Sequence, residues 1–388
     1  MSQVRYASMS FAGMFAIAVT TTLMGPSFPV IVKEFNLSLG LLGFLASAWS
    51  AGYLLSFIGG LLSDRYGEAT IISLSFVIVG VAAGLISAAP SYDLLLVLFL
   101  LAGIGGAFGE SAMTPLIARL FPKRGGFALN ILHLFYSLGS FVGPIVAALV
   151  ISWYGNWRLS YSMMAAVFGL LIVISILTAR KSDGVRARMV EPGEGIAMRE
   201  VVTRGWVLML AMFFYLGAET GTSAWLPTFL VMMRGFSIEL AGVSLGLFWG
   251  TMAVGRLVLG SVTDRVRFRR IILFSSIVSA VLIFLGIMIG SNSWMIISWS
   301  TSGFVMGPIM PTLFAWANRL FDSRRGFVTG LIYCVGFAGG VFSPWLLGTL
   351  ADLLSLRFAM LYLVFSISAV GVSILMVHDS RLLRHDGC

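Results

Sequence analysis

Of the sixteen acidic residues, only Glu110 and Glu219 lie deep inside long apolar stretches. Arg256 sits in a third such stretch and His133 in a fourth. An ionised side chain at the centre of an apolar segment in lipid costs about 2.5–3.5 kcal/mol on insertion scales. A carboxylate sheds that cost by taking a proton and restores it on release, so it can carry a proton in and out of such a setting. An imidazole both donates and accepts, and can share a proton with a carboxylate or hold a hydroxyl. A guanidinium keeps its charge; it balances a carboxylate, binds an anion, or snorkels to the nearer surface. Reversible proton binding by carboxylate and imidazole beside a fixed positive charge is the chemistry these three residue types allow.

The elements that must hold them follow from composition. The 388 residues are 59% hydrophobic and 11% charged, with 44 glycines and 30 phenylalanines. Soluble domains average about 45–50% apolar and about 25% charged. Too few charges remain to coat soluble domains, which excludes a soluble enzyme, a disulfide scaffold and a disordered chain. Two cysteines, Cys334 and Cys388, give no disulfide framework. About 20 mainly apolar residues cross the hydrocarbon. Twelve stretches qualify: 8–32, 38–63, 70–89, 92–120, 124–152, 157–180, 204–233, 237–263, 269–290, 293–320, 323–351 and 356–377. The charged segment 181–203 is the one linker, dividing the chain into a bundle over 1–182, a cytoplasmic linker over 183–203 and a bundle over 204–388.

Lysine and arginine set the sidedness. With the N-terminus inside, twenty of the twenty-five fall in inner loops and tails, and four (Lys33, Arg158, Arg234 and Arg357) in outer loops. The net charge of +9 is therefore a topology signal, and no nucleic-acid partner is expected. The expected place is the cytoplasmic membrane, multi-pass, with both termini in the cytoplasm.

A shift of 200 residues lays Arg119-Leu-Phe-Pro-Lys-Arg-Gly-Gly-Phe127 over Arg319-Leu-Phe-Asp-Ser-Arg-Arg-Gly-Phe327, with six of nine positions identical. The same offset pairs Trp49 with Trp249, Gly60 with Gly260, Asp64-Arg65 with Asp264-Arg265, and Pro144 with Pro344. Two sets of six spans share one orientation and relate by an axis along the membrane normal.

The remaining polar positions fall at helical spacing. Glu110 and His133 lie about ten and eight residues from the inner ends of spans four and five, at similar depth for about 1.5 Å per residue. Asn130, His133 and Tyr136 form one stripe on span five, and Tyr215 and Glu219 another on span seven. Trp225 and Trp249 offer flat apolar faces to a ring-shaped solute, or pack between helices. No Walker loop, metal-ligand cluster or Ser-His-Asp set is readable, so neither an enzyme nor a metal or cofactor is expected.

Gly60-Leu-Leu-Ser-Asp64-Arg65-Tyr-Gly67 after span two and Gly260-Ser-Val-Thr-Asp264-Arg265 after span eight resemble the loop motif of the major facilitator superfamily. The first copy departs from the pattern at Glu68 and Ala69, where basic residues normally follow. Leu129-Asn-Ile-Leu-His133-Leu-Phe-Tyr136-Ser-Leu-Gly139 and Tyr215-Leu-Gly-Ala-Glu219-Thr-Gly-Thr-Ser-Ala-Trp225-Leu-Pro227 are similar to the fucose-permease branch of sugar–cation symporters. The resemblance implies an all-α integral membrane fold, twelve transmembrane helices in two pseudo-symmetric six-helix bundles working by alternating access. It implies a small-molecule solute, a sugar first, bound among Glu110, Asn130, His133, Tyr136, Tyr215, Glu219, Trp225, Trp249 and Arg256. Gly60, Asp64, Arg65, Gly260, Asp264 and Arg265 are the expected gating residues. Protons are favoured over sodium as the coupling ion, although Thr20, Thr21 and Thr22 supply oxygens for sodium. A monomer in the lipid bilayer is expected; the alternatives are a proton-coupled drug or metabolite exporter and a sodium-coupled sugar symporter.

Overall fold

The computed structural model describes residues 2–121, 125–179, 198–260, 266–321 and 325–377. These residues are almost wholly helical, with no strand among them. Eleven helical segments are long and apolar enough to cross a membrane. The tenth expected span arrives as two shorter helices end to end, Asn292–Met306 and Ile309–Leu320, broken at Gly307 and Pro308. The fold is the all-α membrane architecture that composition and span count implied. Segment 183–203 lies for the most part outside the described residues, up to Met198, where the helix of span seven begins.

Local chemistry explains where the helices start and bend. Ser38, Ser91, Ser237, Ser291 and Ser355 each accept a backbone N–H three residues on, starting spans two, four, eight, ten and twelve. Such a cap is worth about 1 kcal/mol. Span one breaks at Leu23 into Ser2–Thr22 and Met24–Glu34. Pro26 has no N–H to offer the carbonyl of Thr22, and the helix turns there. Span two divides into Leu39–Tyr53 and Ser56–Tyr66 around a tight turn, with Leu54 and Leu55 donating to carbonyls three residues back.

The internal repeat is visible in the packing. A Cβ on Gly103 would overlap the backbone carbonyl of Trp49, and one on Gly303 the carbonyl of Phe248. The first contact joins spans four and two, the second spans ten and eight. Gly139 meets the carbonyl of Phe15, and Gly339 that of Phe213, joining spans five and one, then eleven and seven. Small residues let helix backbones approach in a medium where there is no hydrophobic drive between helices. Apolar side chains such as Val81, Leu85, Leu170, Phe274, Ile277 and Phe365 point outward from the bundle, as a lipid-facing surface requires.

Spans two and eleven, and spans five and eight, meet at the outer end of the lysine and arginine count. Asp352 accepts from the amides of Leu39 and Gly40, at 2.9 and 2.7 Å, across the first pair. The Ser152 hydroxyl donates to Glu239 across the second. Deeper in, Ser47 donates to the carbonyl of Val341 at 2.6 Å, and Tyr53 stacks on Phe337 with ring centroids 4.5 Å apart. Beyond that level spans two and eleven part: a Cβ on Gly60 or Gly330 would meet nothing within 4 Å.

Candidate functional site

The cavity lies where the two helix pairs begin to part. Spans one, two, four, five, seven, eight, ten and eleven all contribute side chains. Its empty space, open solvent included, is about 880 Å³. Repeat-related positions both line it: Met24 and Ala224, Trp49 and Trp249, Glu110 and Met310, His133 and Tyr333.

Six of the nine expected binding residues line this space: Glu110, His133, Tyr136, Glu219, Trp249 and Arg256. Glu219 is 7% exposed, and its Oε2 lies 3.7 Å from Nη2 of Arg256. That separation exceeds the 2.7–2.9 Å of a charge-assisted hydrogen bond, so the pair is electrostatic and loose. Arg256 also donates from Nη1 to the Ser137 hydroxyl at 3.2 Å and from Nη2 to Met252 Sδ at 3.4 Å. Ser137 is on span five, so Arg256 ties span eight to spans five and seven at once. Glu219 Oε2 and Arg256 Nε are buried without a hydrogen-bond partner. Tyr215 is fully buried behind the pair, close enough to interact with both, although its hydroxyl completes no ordinary hydrogen bond.

Three of the expected binding residues do not line the cavity: Tyr215, behind the pair, Trp225 and Asn130. Trp225 is fully buried; its indole donates to the carbonyl of Pro344 at 3.1 Å and meets Phe28 edge-on, so it packs helices rather than facing solute space. Asn130 is exposed one turn below His133 and does not line the cavity. Glu110 and His133 share the cavity wall, but no hydrogen bond or ion pair joins them. The three threonines of span one each donate back to a carbonyl four residues earlier, and only Thr21 reaches the cavity.

Tyr53, Trp49, Tyr333 and Phe337 line the cavity without having been singled out. The 200-residue offset carried a signal for two of them, since Tyr333 is the repeat partner of His133 and Trp49 that of Trp249. Tyr53 and Phe337 had none; an aromatic side chain in an apolar helix looks the same whether it packs or faces a cavity.

Among the expected gating residues, Asp64 and Arg65 are exposed at the end of span two. The Arg65 guanidinium lies 5.2 Å from the Tyr66 ring centroid, and Asp64 makes no ion pair among the described residues. Gly60 faces open space, and Gly260 ends the described part of span eight. Asp264 and Arg265 lie outside the described residues. Glu68, the departure from the loop motif, receives a 2.9 Å hydrogen bond from Arg119 of span four. The acidic substitution is thus matched within the same half of the chain.

A helical membrane protein with a central polar cavity between two repeated halves is the architecture of a solute carrier. The chain belongs to the Major Facilitator Superfamily, matching it over residues 10–344 and again over 242–382. It is 24% identical over 367 residues to the fosmidomycin resistance protein of Escherichia coli, covering 91% of this chain and 88% of that one. It is 24% identical to the hexuronate transporter of Bacillus subtilis, covering 84% and 82%. In fold it is similar to the crystal structure of a bacterial homolog of the human lysosomal transporter Spinster, with a TM-score of 0.82 at 16% identity, over 100% of this chain and 98% of that one.

Proposed function

We propose that this transporter moves a small polar solute, a sugar in the first instance, by alternating access coupled to protons. The observation that carries the reading is the loose Glu219–Arg256 pair, 3.7 Å apart on the wall of a cavity whose outer end is closed. Proton uptake by Glu219 removes the charge that holds Arg256 toward span seven. Arg256 also bonds Ser137, so a change in that pair alters the contact between spans five and eight, which is one of the two interfaces that must part when the outer end opens. Glu110, across the cavity, is a second carboxylate able to carry a proton. Trp49 and Trp249 supply flat faces for a ring, and Ser50, Thr220 and Ser223 supply hydroxyls.

The similarity of spans five and seven to the fucose-permease branch supports a sugar, as does a relative named for hexuronate. Protons are favoured over sodium because, of Thr20, Thr21 and Thr22, only Thr21 brings its oxygen to the cavity. The protein acts as a monomer in the cytoplasmic membrane with both termini inside. Gly60, Asp64 and Arg65, with Gly260, Asp264 and Arg265, close the inner end in the opposite state. Uptake into proteoliposomes, driven separately by a pH gradient and a sodium gradient, tests this reading. Accumulation with the pH gradient alone is expected; accumulation with sodium alone overturns the proton assignment.

A relative named for fosmidomycin resistance favours a second reading, a proton-coupled exporter. Drug sensitivity of a pump-deficient host carrying this chain separates the two: export protects the host, and uptake does not.

A further inference from the structure

We infer that the solute carries an anionic group on a polar body, and that Arg256 binds this group once Glu219 has taken a proton. The inference rests on the transport reading of the same cavity. Among the described residues lining the cavity, Arg256 is the single permanent cation, facing two carboxylates, Glu110 and Glu219. A carboxylate becomes neutral by binding a proton, whereas a guanidinium in a protein keeps its charge. While protons are aboard, the charge left to be balanced is therefore positive.

The guanidinium is also poorly served by its present neighbours. Of its five N–H donors, one from Nη1 reaches an oxygen, the Ser137 hydroxyl at 3.2 Å. One from Nη2 reaches a thioether, a weak acceptor, at 3.4 Å, and Nε has no partner. Glu219 stays 3.7 Å away with Oε2 unpartnered. A carboxylate, sulfonate or phosphonate entering the cavity supplies two or three oxygens in the forked arrangement that guanidinium recognises. The other titratable groups facing the pair are Tyr215 on span seven, Glu110 on span four, His133 and Tyr136 on span five, and Tyr333 on span eleven. None of these is a permanent cation. A cationic solute would meet Arg256 unscreened whenever Glu219 is protonated.

The test uses three probes with one ring and three charges: D-glucuronate, D-glucose and D-glucosamine. Binding to the purified full-length chain is followed by tryptophan fluorescence, since Trp49 and Trp249 line the cavity. D-glucuronate should bind at least about tenfold tighter than D-glucose at acid pH, and lose much of that advantage at neutral pH. Arg256→Gln should abolish the advantage, and Glu219→Gln should preserve it at neutral pH. Equal binding of D-glucose, tighter binding of D-glucosamine, or no binding of D-glucuronate overturns the inference, and this wild-type comparison needs no variant to fold. Gradient-driven accumulation of D-glucose or D-glucosamine in the same vesicles would overturn the anion assignment while leaving proton-coupled transport in place.

Discussion

Ser152 and Asp352 stand at the same position in spans five and eleven, 200 residues apart, and each joins the start of a span from the other half, at the end that the lysine and arginine count assigns to the outside. The partners are related by the repeat too, Leu39 and Gly40 in span two and Glu239 in span eight. The carboxylate has changed sides: span eleven carries it in one contact and span eight in the other. Two unlike hydrogen bonds thus occupy equivalent places.

The Asp352 contact is exposed, so its strength is that of a solvated charge-assisted hydrogen bond, about 1 kcal/mol rather than the buried value. Asp352→Ala should lower the ratio of outer-closed to outer-open molecules about fivefold. Pulsed electron–electron spin resonance between labels on the loops at 87–90 and 289–291 reads that ratio, in a chain whose two cysteines are replaced. An unchanged distance distribution would mean that this contact does not hold the outer end.

Gly103 and Gly303 should tolerate no side chain. A Cβ at either overlaps a backbone carbonyl of the neighbouring helix, which cannot swing aside as a side-chain tip can. Gly103→Ala should destabilise by about 1–3 kcal/mol, seen as a lower melting temperature in detergent. Gly60→Ala is the control: its Cβ meets nothing within 4 Å, and its melting temperature should not fall.

Trp225 and Trp249, the two tryptophans expected from the sequence to face a ring-shaped solute, should behave differently. Trp225→Ala removes a fully buried indole and its bond to Pro344, and should cost about 3–5 kcal/mol of stability. Trp249→Ala should raise the KM for the transported solute, because that ring lies on the cavity wall. Melting curves and uptake kinetics of the pair decide; a KM effect confined to Trp225→Ala would reverse the assignment.

The sequence made the spans legible because burial in lipid leaves a one-dimensional signal, a run of about 20 apolar residues. Glu219 and Arg256 were readable for the same reason, as ionisable groups where lipid makes them costly. Their mutual distance was not, since no spacing within span seven fixes its rotation against span eight. Trp225 and Trp249 show the limit most plainly: the same residue type at comparable depth, one packed on Pro344 and one facing the cavity. Asp352 stands at a span end, where a carboxylate carries no lipid cost to flag it, and its contact with Gly40 needs two segments more than 300 residues apart to meet. Tyr333 could have been reached from His133 by the repeat; Tyr53 could not.

The most direct test of proton coupling is accumulation of the transported solute by Glu219→Gln proteoliposomes under an imposed pH gradient. Glutamine keeps the size of the side chain and removes the proton. Solute exchange between equal concentrations should continue, while accumulation driven by the gradient should be lost. Full gradient-driven accumulation by Glu219→Gln would contradict the coupling role assigned to Glu219 and its pair with Arg256.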